Sequence, residues 1–172
     1  MAIIGNGDIA SAITDRDDLL FFASGVSNSQ ETRESEYQRE KDLLLAQDPN
    51  AHVVYFGSLS VFYNNNRYGQ HKLEMEKLVK SHFKRWTIFR LGNISWGVNP
   101  HTIINFFRGK VERGEELEVR DTYRYVIDKD EFQHWISLIP EWNVEMNLTG
   151  QKLTIKEIIN KYVYTGIHIA KI

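Results

Sequence analysis

Short apolar runs alternating with amphipathic segments constrain this chain more than any other feature, because that pattern folds as parallel strands joined by helical crossovers. Ala2-Ile3-Ile4 runs into Gly5-Asn6-Gly7 and a short helix expected over 8–13. Leu19 to Ala23 reads as a buried strand, followed by the polar stretch from Ser24 to Asn28 and a helix over 31–46. His52 to Phe56 ends in Gly57-Ser58 ahead of a helix over 68–79, and Trp86 to Leu91 is closed by Gly92-Asn93. Beyond these, the spacing predicts helices over 103–113, 130–138 and 155–162, the last capped by Thr154. Short strands are expected over 117–119 and 125–127. The expected fold class is therefore α/β with a parallel sheet, and 172 residues suffice for one compact core.

Composition narrows the function classes. A net charge of −2 gives no electrostatic case for nucleic acid or an anionic membrane, and no apolar run reaches the length of a membrane span. The six histidines lack ligand spacing, so no metal is expected, and the absence of cysteine excludes disulfides and thiolate metal sites. The N-terminus reads as a strand and a glycine turn, not a signal peptide, and a cytoplasmic setting is expected. Trp96, Trp135 and Trp142 are expected in packing roles.

Three Tyr-x-x-x-Lys pairs occur. Tyr37 and Lys41 fall on a charged helix and read as a solvated face; Tyr125 and Lys129 straddle a strand end, so their side chains need not meet. Tyr68 and Lys72 alone start a helix after a buried strand with a serine upstream. Their spacing puts them on one helical face, with Met75 and Val79 continuing that face into the core. An ammonium beside a phenol favours phenolate, so Tyr68 is a candidate general acid or base. Ser58 would bond the substrate oxygen, with Ser60 as its substitute, and His71 is expected to be exposed. Separately, Gly5-Asn6-Gly7-Asp8-Ile9-Ala10 fits G-x-G-x-x-A after a strand, a turn that admits a pyrophosphate to the backbone.

Taken in order, these segments resemble the short-chain dehydrogenase/reductase superfamily, and within it the extended branch of NAD-dependent epimerases and dehydratases acting on nucleotide sugars. Phe56-Gly57-Ser58 is similar to the branch's catalytic-serine strand end, and Tyr68-Gly69-Gln70-His71-Lys72 to its Tyr-Gly-x-x-Lys helix. Arg90 to Gly97 resembles the segment whose asparagine, here Asn93, faces substrate. Arg124 to Asp130 resembles the stretch whose arginine, here Arg124, grips the diphosphate. The resemblance implies a catalytic set of Ser58, Tyr68 and Lys72. It also implies a cofactor site at Gly5, Gly7, Asp8, Ile9, Ala10, Ala23, Ser24 and Lys72, taking NAD or NADP. Residues 1–97 would form a Rossmann-like core and 98–172 a small substrate-binding part packed on it.

One piece of that pattern is missing. The family's second and third strands follow the glycine turn, yet Ile13 passes through Thr14 to Asp18 straight into Leu19. Each parallel crossover needs about a dozen residues, so two further strands do not fit. A trimmed Rossmann-like three-layer fold is expected, with the first strand at the sheet edge and the adenosine half of the cofactor site largely absent. Two readings follow. One is NAD(P)-dependent redox chemistry on a nucleotide-linked sugar, as an epimerase, dehydratase or ketoreductase. The other is a pseudoenzyme or binding module that kept the scaffold. A homodimer covering the bare edge is expected under the first.

Overall fold

The computed structural model describes residues 2–14 and 16–164. Five parallel strands form the main sheet: β1 (Ile3–Ile4), β2 (Leu20–Phe22), β3 (His52–Ser58), β4 (Arg85–Leu91) and β7 (Val144–Leu148), in the order β1-β2-β3-β4-β7. Adjacent residues of the inner strands point to opposite faces, and both faces are apolar, as a doubly covered parallel sheet requires. Val54, Phe56 and Phe89 pack on one side with Phe132 and Ile136 of α4 (Lys129–Ser137). Val53, Tyr55 and Ile88 pack on the other with Leu44 of α1 (Glu34–Leu45) and Met75 and Val79 of α2 (Arg67–His82). The three-layer α/β architecture is as expected. So is the edge: β1 pairs only with β2 among the described residues.

A second, smaller sheet has the order β5-β6-β8, from β5 (Asn93–Ile94), β6 (Tyr123–Ile127) and β8 (Gln151–Thr154). It packs with α3 (Ile103–Glu112) and α5 (Ile155–Ile158) around Ile104, Phe107, Val126 and Ile158. Thr154 and Glu157 cap α5 reciprocally, and a π-helical turn, Ile159–Val163, continues it where an ordinary α-helix was expected.

Several details depart from the sequence reading. Residues 117–119 form no strand; Leu117 is partly buried against the smaller core while Val119 is exposed. Strands β7 and β8 were not anticipated. Glu145 disguised β7, and it is tolerated because β7 is the outer strand beside β4 and its carboxylate takes bonds from Lys80 at 2.6 Å and Arg90 at 2.5 Å. Strand β7 joins the main sheet, and α4 packs on the same apolar face. The helix expected over 8–13 is a single 3₁₀ turn, Ala10–Ala12. Trp96 and Trp135 pack as expected, but Trp142 is 71% exposed.

Candidate active site

The parallel strands β1 to β4 end at a common cavity of about 830 Å³, where open α/β sheets bind ligands. Asn6 to Ile9 close one side, Ala23 to Ser27 another, and Gly57, Tyr68 and Lys72 a third. Asn93 and the loop 98–102 complete it. The sequence therefore brings Gly7, Asp8, Ile9, Ala23, Ser24, Tyr68, Lys72 and Asn93 to one place. Gly5 and Ala10 stand behind the lining.

The first glycine has a packing role. Gly5 has φ +127°, and a Cβ there would come within 2.5 Å of the Ala23 carbonyl oxygen, so only glycine lets the turn lie against the end of β2. A Cβ on Gly7 would meet nothing within 4 Å, which leaves this turn bare toward the cavity. The loop after β5 closes over the same turn. The Asp8 carboxylate accepts from the backbone N–H groups of Val98 (3.0 Å) and Asn99 (2.9 Å), and the Trp96 indole donates to the Asp8 carbonyl (2.9 Å). Gly97, at φ +93°, leaves no room for a Cβ, which would overlap the Asp8 carboxylate.

Asn66 starts α2, its side chain accepting from the Gly69 N–H at 2.9 Å. That cap fixes the first turn, so Tyr68 comes to the cavity wall with 8% exposure. Its hydroxyl has no hydrogen-bond partner among the described residues. The Lys72 ammonium lies 5.6 Å from the centroid of the Tyr68 ring.

Lys72 is not a lone cation. Glu40, from α1 and wholly buried, accepts from Lys72 at 3.1 and 3.4 Å, His71 Nε2 at 2.9 Å, the Tyr55 hydroxyl at 3.0 Å and the Val26 N–H at 2.7 Å. Burial pushes the Glu40 carboxyl up, but Lys72, His71 and the Val26 N–H together pull it from 4.5 down to about 2. Burial likewise pulls Lys72 down, and Glu40 outweighs it, so the ammonium is held above its ordinary range. Burial first and Glu40 second push the Tyr55 phenol well above 10. His71, expected at the surface, is fully buried because it faces this carboxylate. Its Nδ1 is left without a partner among the described residues. Tyr37, expected on a solvated face, is buried too, with its ring 4.5 Å from that of His71 and its hydroxyl donating to the Glu31 carbonyl at 2.7 Å. Glu40 was missed because it sits among alternating charges on α1, where nothing in the sequence marks it as buried.

Ser58 is outside the lining. Its Oγ accepts from the Ser60 N–H at 3.2 Å and starts the 3₁₀ turn Leu59–Phe62, leaving its own hydroxyl hydrogen without an acceptor among the described residues. The Ser60 hydroxyl is buried and has no partner among the described residues. Asn93 faces the cavity, its amide donating to the Tyr125 carbonyl at 3.0 Å. Arg124 is exposed on the neighbouring strand β6, bonded among the described residues to the Tyr123 carbonyl, and does not line the cavity.

Solved structures with this fold are known. The Bordetella bronchiseptica enzyme WbmG, in complex with NAD and UDP, superposes with a TM-score of 0.65 at 14% identity. The Thermus thermophilus UDP-glucose 4-epimerase, in complex with NAD, gives 0.60 at 14%, and a Methanobrevibacter ruminantium UDP-N-acetylglucosamine 4-epimerase, with UDP-N-acetylmuramic acid, 0.60 at 15%. The chain shares the fold of these enzymes. These matches cover 90%, 83% and 90% of this chain but only 58%, 60% and 62% of the three epimerase-fold chains. No family model and no curated protein matches the sequence.

The turn, the cavity floor and the missing strands test whether a nicotinamide dinucleotide fits. Gly7 offers a bare backbone beside the cavity, and Tyr68 stands free within it, so the nicotinamide side suits these residues. Outside β1 no strand is present among the described residues to carry an adenosine.

Proposed function

We propose that this chain performs redox chemistry of the nicotinamide type on a nucleotide-linked sugar, with Tyr68 as the proton-transfer group. The single observation that carries the reading is the Tyr68 phenol, unpartnered in the cavity at the ends of four parallel strands and beside the Lys72 ammonium. A bound nicotinamide supplies the hydride acceptor or donor. Tyr68 takes a proton from a sugar hydroxyl, or returns one to a sugar carbonyl, as hydride leaves or arrives. Ser58, one residue beyond Gly57 of the cavity wall, keeps a hydroxyl hydrogen for the same sugar oxygen. Lys72 places positive charge against the phenol, and Glu40 fixes where that charge lies. Asn93 orients the sugar from β5, and Arg124 offers charge-assisted bonds to a diphosphate at the outer rim.

Turnover of a panel of nucleoside-diphosphate sugars tests this. Tyr68→Phe is expected to lower the rate by about 10²-fold or more with the melting temperature unchanged, because only a hydroxyl is removed. Tyr125→Phe, an exposed tyrosine with the same spacing to a lysine, is expected to leave it within about twofold. Equal losses from both variants, or none from Tyr68→Phe, would refute the assignment. A native protein inert toward every sugar and every nicotinamide would favour the binding-module reading, in which Glu40 has taken Lys72 out of chemistry.

A further inference from the structure

A dinucleotide fold is built from two mononucleotide-binding halves, set side by side in the strand order 3-2-1-4-5-6. Here β1, β2, β3 and β4 succeed one another as 1-4-5-6 do in that order, and the outer edge of β1 is unpaired among the described residues. The half that remains is the one that holds Tyr68 and Lys72. The half that is gone would have carried the second nucleotide.

The remaining half has a second cation on the cavity lining besides Lys72. Arg39, from α1, reaches the cavity lip and donates to the Ser24 hydroxyl at 3.4 Å and the Ser24 carbonyl at 3.3 Å, with its Nε on Glu36 at 3.2 Å. Those contacts are long, and the side chain is 46% exposed, so its fork is available to a stronger acceptor. Ser24 itself lies against the glycine turn: a Cβ on Gly5 would sit 3.0 Å from the Ser24 nitrogen. The guanidinium thus stands beside the turn that receives phosphate in this fold. The other charge at the turn is the Asp8 carboxylate, held by the Val98 and Asn99 N–H groups. Of these two charges the guanidinium attracts a phosphate, and the carboxylate is already engaged by two backbone donors.

Resting on the function proposed above, we infer that the cavity takes a mononucleotide, nicotinamide ribose monophosphate, in place of a whole dinucleotide, with Arg39 on its phosphate. The nicotinamide ribose lies toward Lys72 and Tyr68, and the phosphate toward Gly7, Ser24 and Arg39. An adenosine attached to that phosphate would extend past β1 into solvent and add little binding. Arg39 is a binding residue in this scheme and takes no part in proton transfer.

Calorimetric titration of the native chain with nicotinamide mononucleotide, its reduced form, NAD, NADH and ADP-ribose tests the inference, each at two protein concentrations and with sedimentation on the same samples. The mononucleotide and dinucleotide of the same redox state are expected to bind within about threefold of each other, and ADP-ribose far more weakly than either. Arg39→Gln is expected to weaken the mononucleotide by about tenfold or more without shifting the melting temperature, the loss of one charge-assisted pair. A dinucleotide bound thirtyfold or more tighter than the mononucleotide overturns the inference and leaves the proposed function standing. If that tightness appears only with a dimer, a second copy supplies the missing wall, and the inference also falls. Unchanged affinity in Arg39→Gln removes Arg39 from the phosphate. Binding of no nicotinamide compound at all overturns both the inference and the function beneath it.

Discussion

On its α1–α2 side the cavity rests on Glu40, a buried carboxylate bonded by four neighbours from the β2–α1 loop, β3 and α2. On its β1 side it rests on a two-residue strand and a glycine turn clamped by one loop through Asp8. The first wall is made of long-range polar contacts sealed from water, where each interaction is strong and each loss is costly. The second is local backbone geometry at the surface, where water can replace what is lost. A site assembled from two such walls keeps its Tyr68 and Lys72 side rigid, whatever happens at its glycine-turn side.

Removing Glu40 breaks this contrast most severely. Glu40→Ala leaves Lys72, His71 and Tyr55 buried without their acceptor and is expected to cost about 3–5 kcal/mol in urea denaturation. A loss below about 1 kcal/mol would mean that water enters and satisfies the cluster.

Acid probes the same wall without mutation. The Glu40 carboxyl sits at about 2 in the folded chain against an ordinary 4.5. A depressed carboxyl stabilises fully above its unfolded value and loses that contribution as pH falls through its folded value. The chain should therefore lose about 3 kcal/mol between pH 4.5 and 2 through this group, at 1.36 kcal/mol per unit. Stability that is flat across this range, measured by urea midpoints, would show that the carboxylate is not held in this way.

The β1 wall answers more mildly. Gly97→Ala forces a side chain into a backbone at φ +93° and against the Asp8 carboxylate, with an expected cost of about 1–3 kcal/mol. Gly7→Ala meets open space at an ordinary φ and is expected to leave stability unchanged or slightly raised. Its effect should appear in ligand titration, since the new methyl enters the cavity. Equal denaturation midpoints for the two alanine variants would erase the distinction between the clamp and the bare turn.

Much of this was legible in the residues, and for stated reasons. Val53 to Phe56 and Ile88 to Leu91 are continuous apolar runs because both faces of their strands are covered, so they announce themselves. Tyr68 and Lys72 reach the cavity because helical spacing is local and a strand end precedes them. The edge position of β1 followed from counting residues between Ile13 and Leu19. Strand β7 was hidden because Glu145 breaks its apolar pattern, and only its fold neighbours Lys80 and Arg90 make that carboxylate acceptable. Glu40 and His71 were hidden for the same reason on a larger scale. A charge on a helix reads as solvated unless its partner is known, and here the partners come from another helix, a strand and a loop. Arg39 escaped notice among the acidic and basic residues around it.

The tie of β1 to the rest of the sheet has a consequence for how the chain breathes. Two backbone hydrogen bonds, Phe21 N–H to the Ala2 carbonyl at 3.1 Å and Ala23 N–H to the Ile4 carbonyl at 2.8 Å, lie along that seam. Opening it exposes little apolar surface, so it belongs at the low-energy end of native fluctuations, far below the cost of separating β3 from β4. The Phe21 and Ala23 amides would then exchange with solvent ahead of those along β3. A ligand phosphate that bridged the glycine turn to Ser24 would join the two sides of the seam, and slow exchange at those two amides would register its binding without any turnover at all.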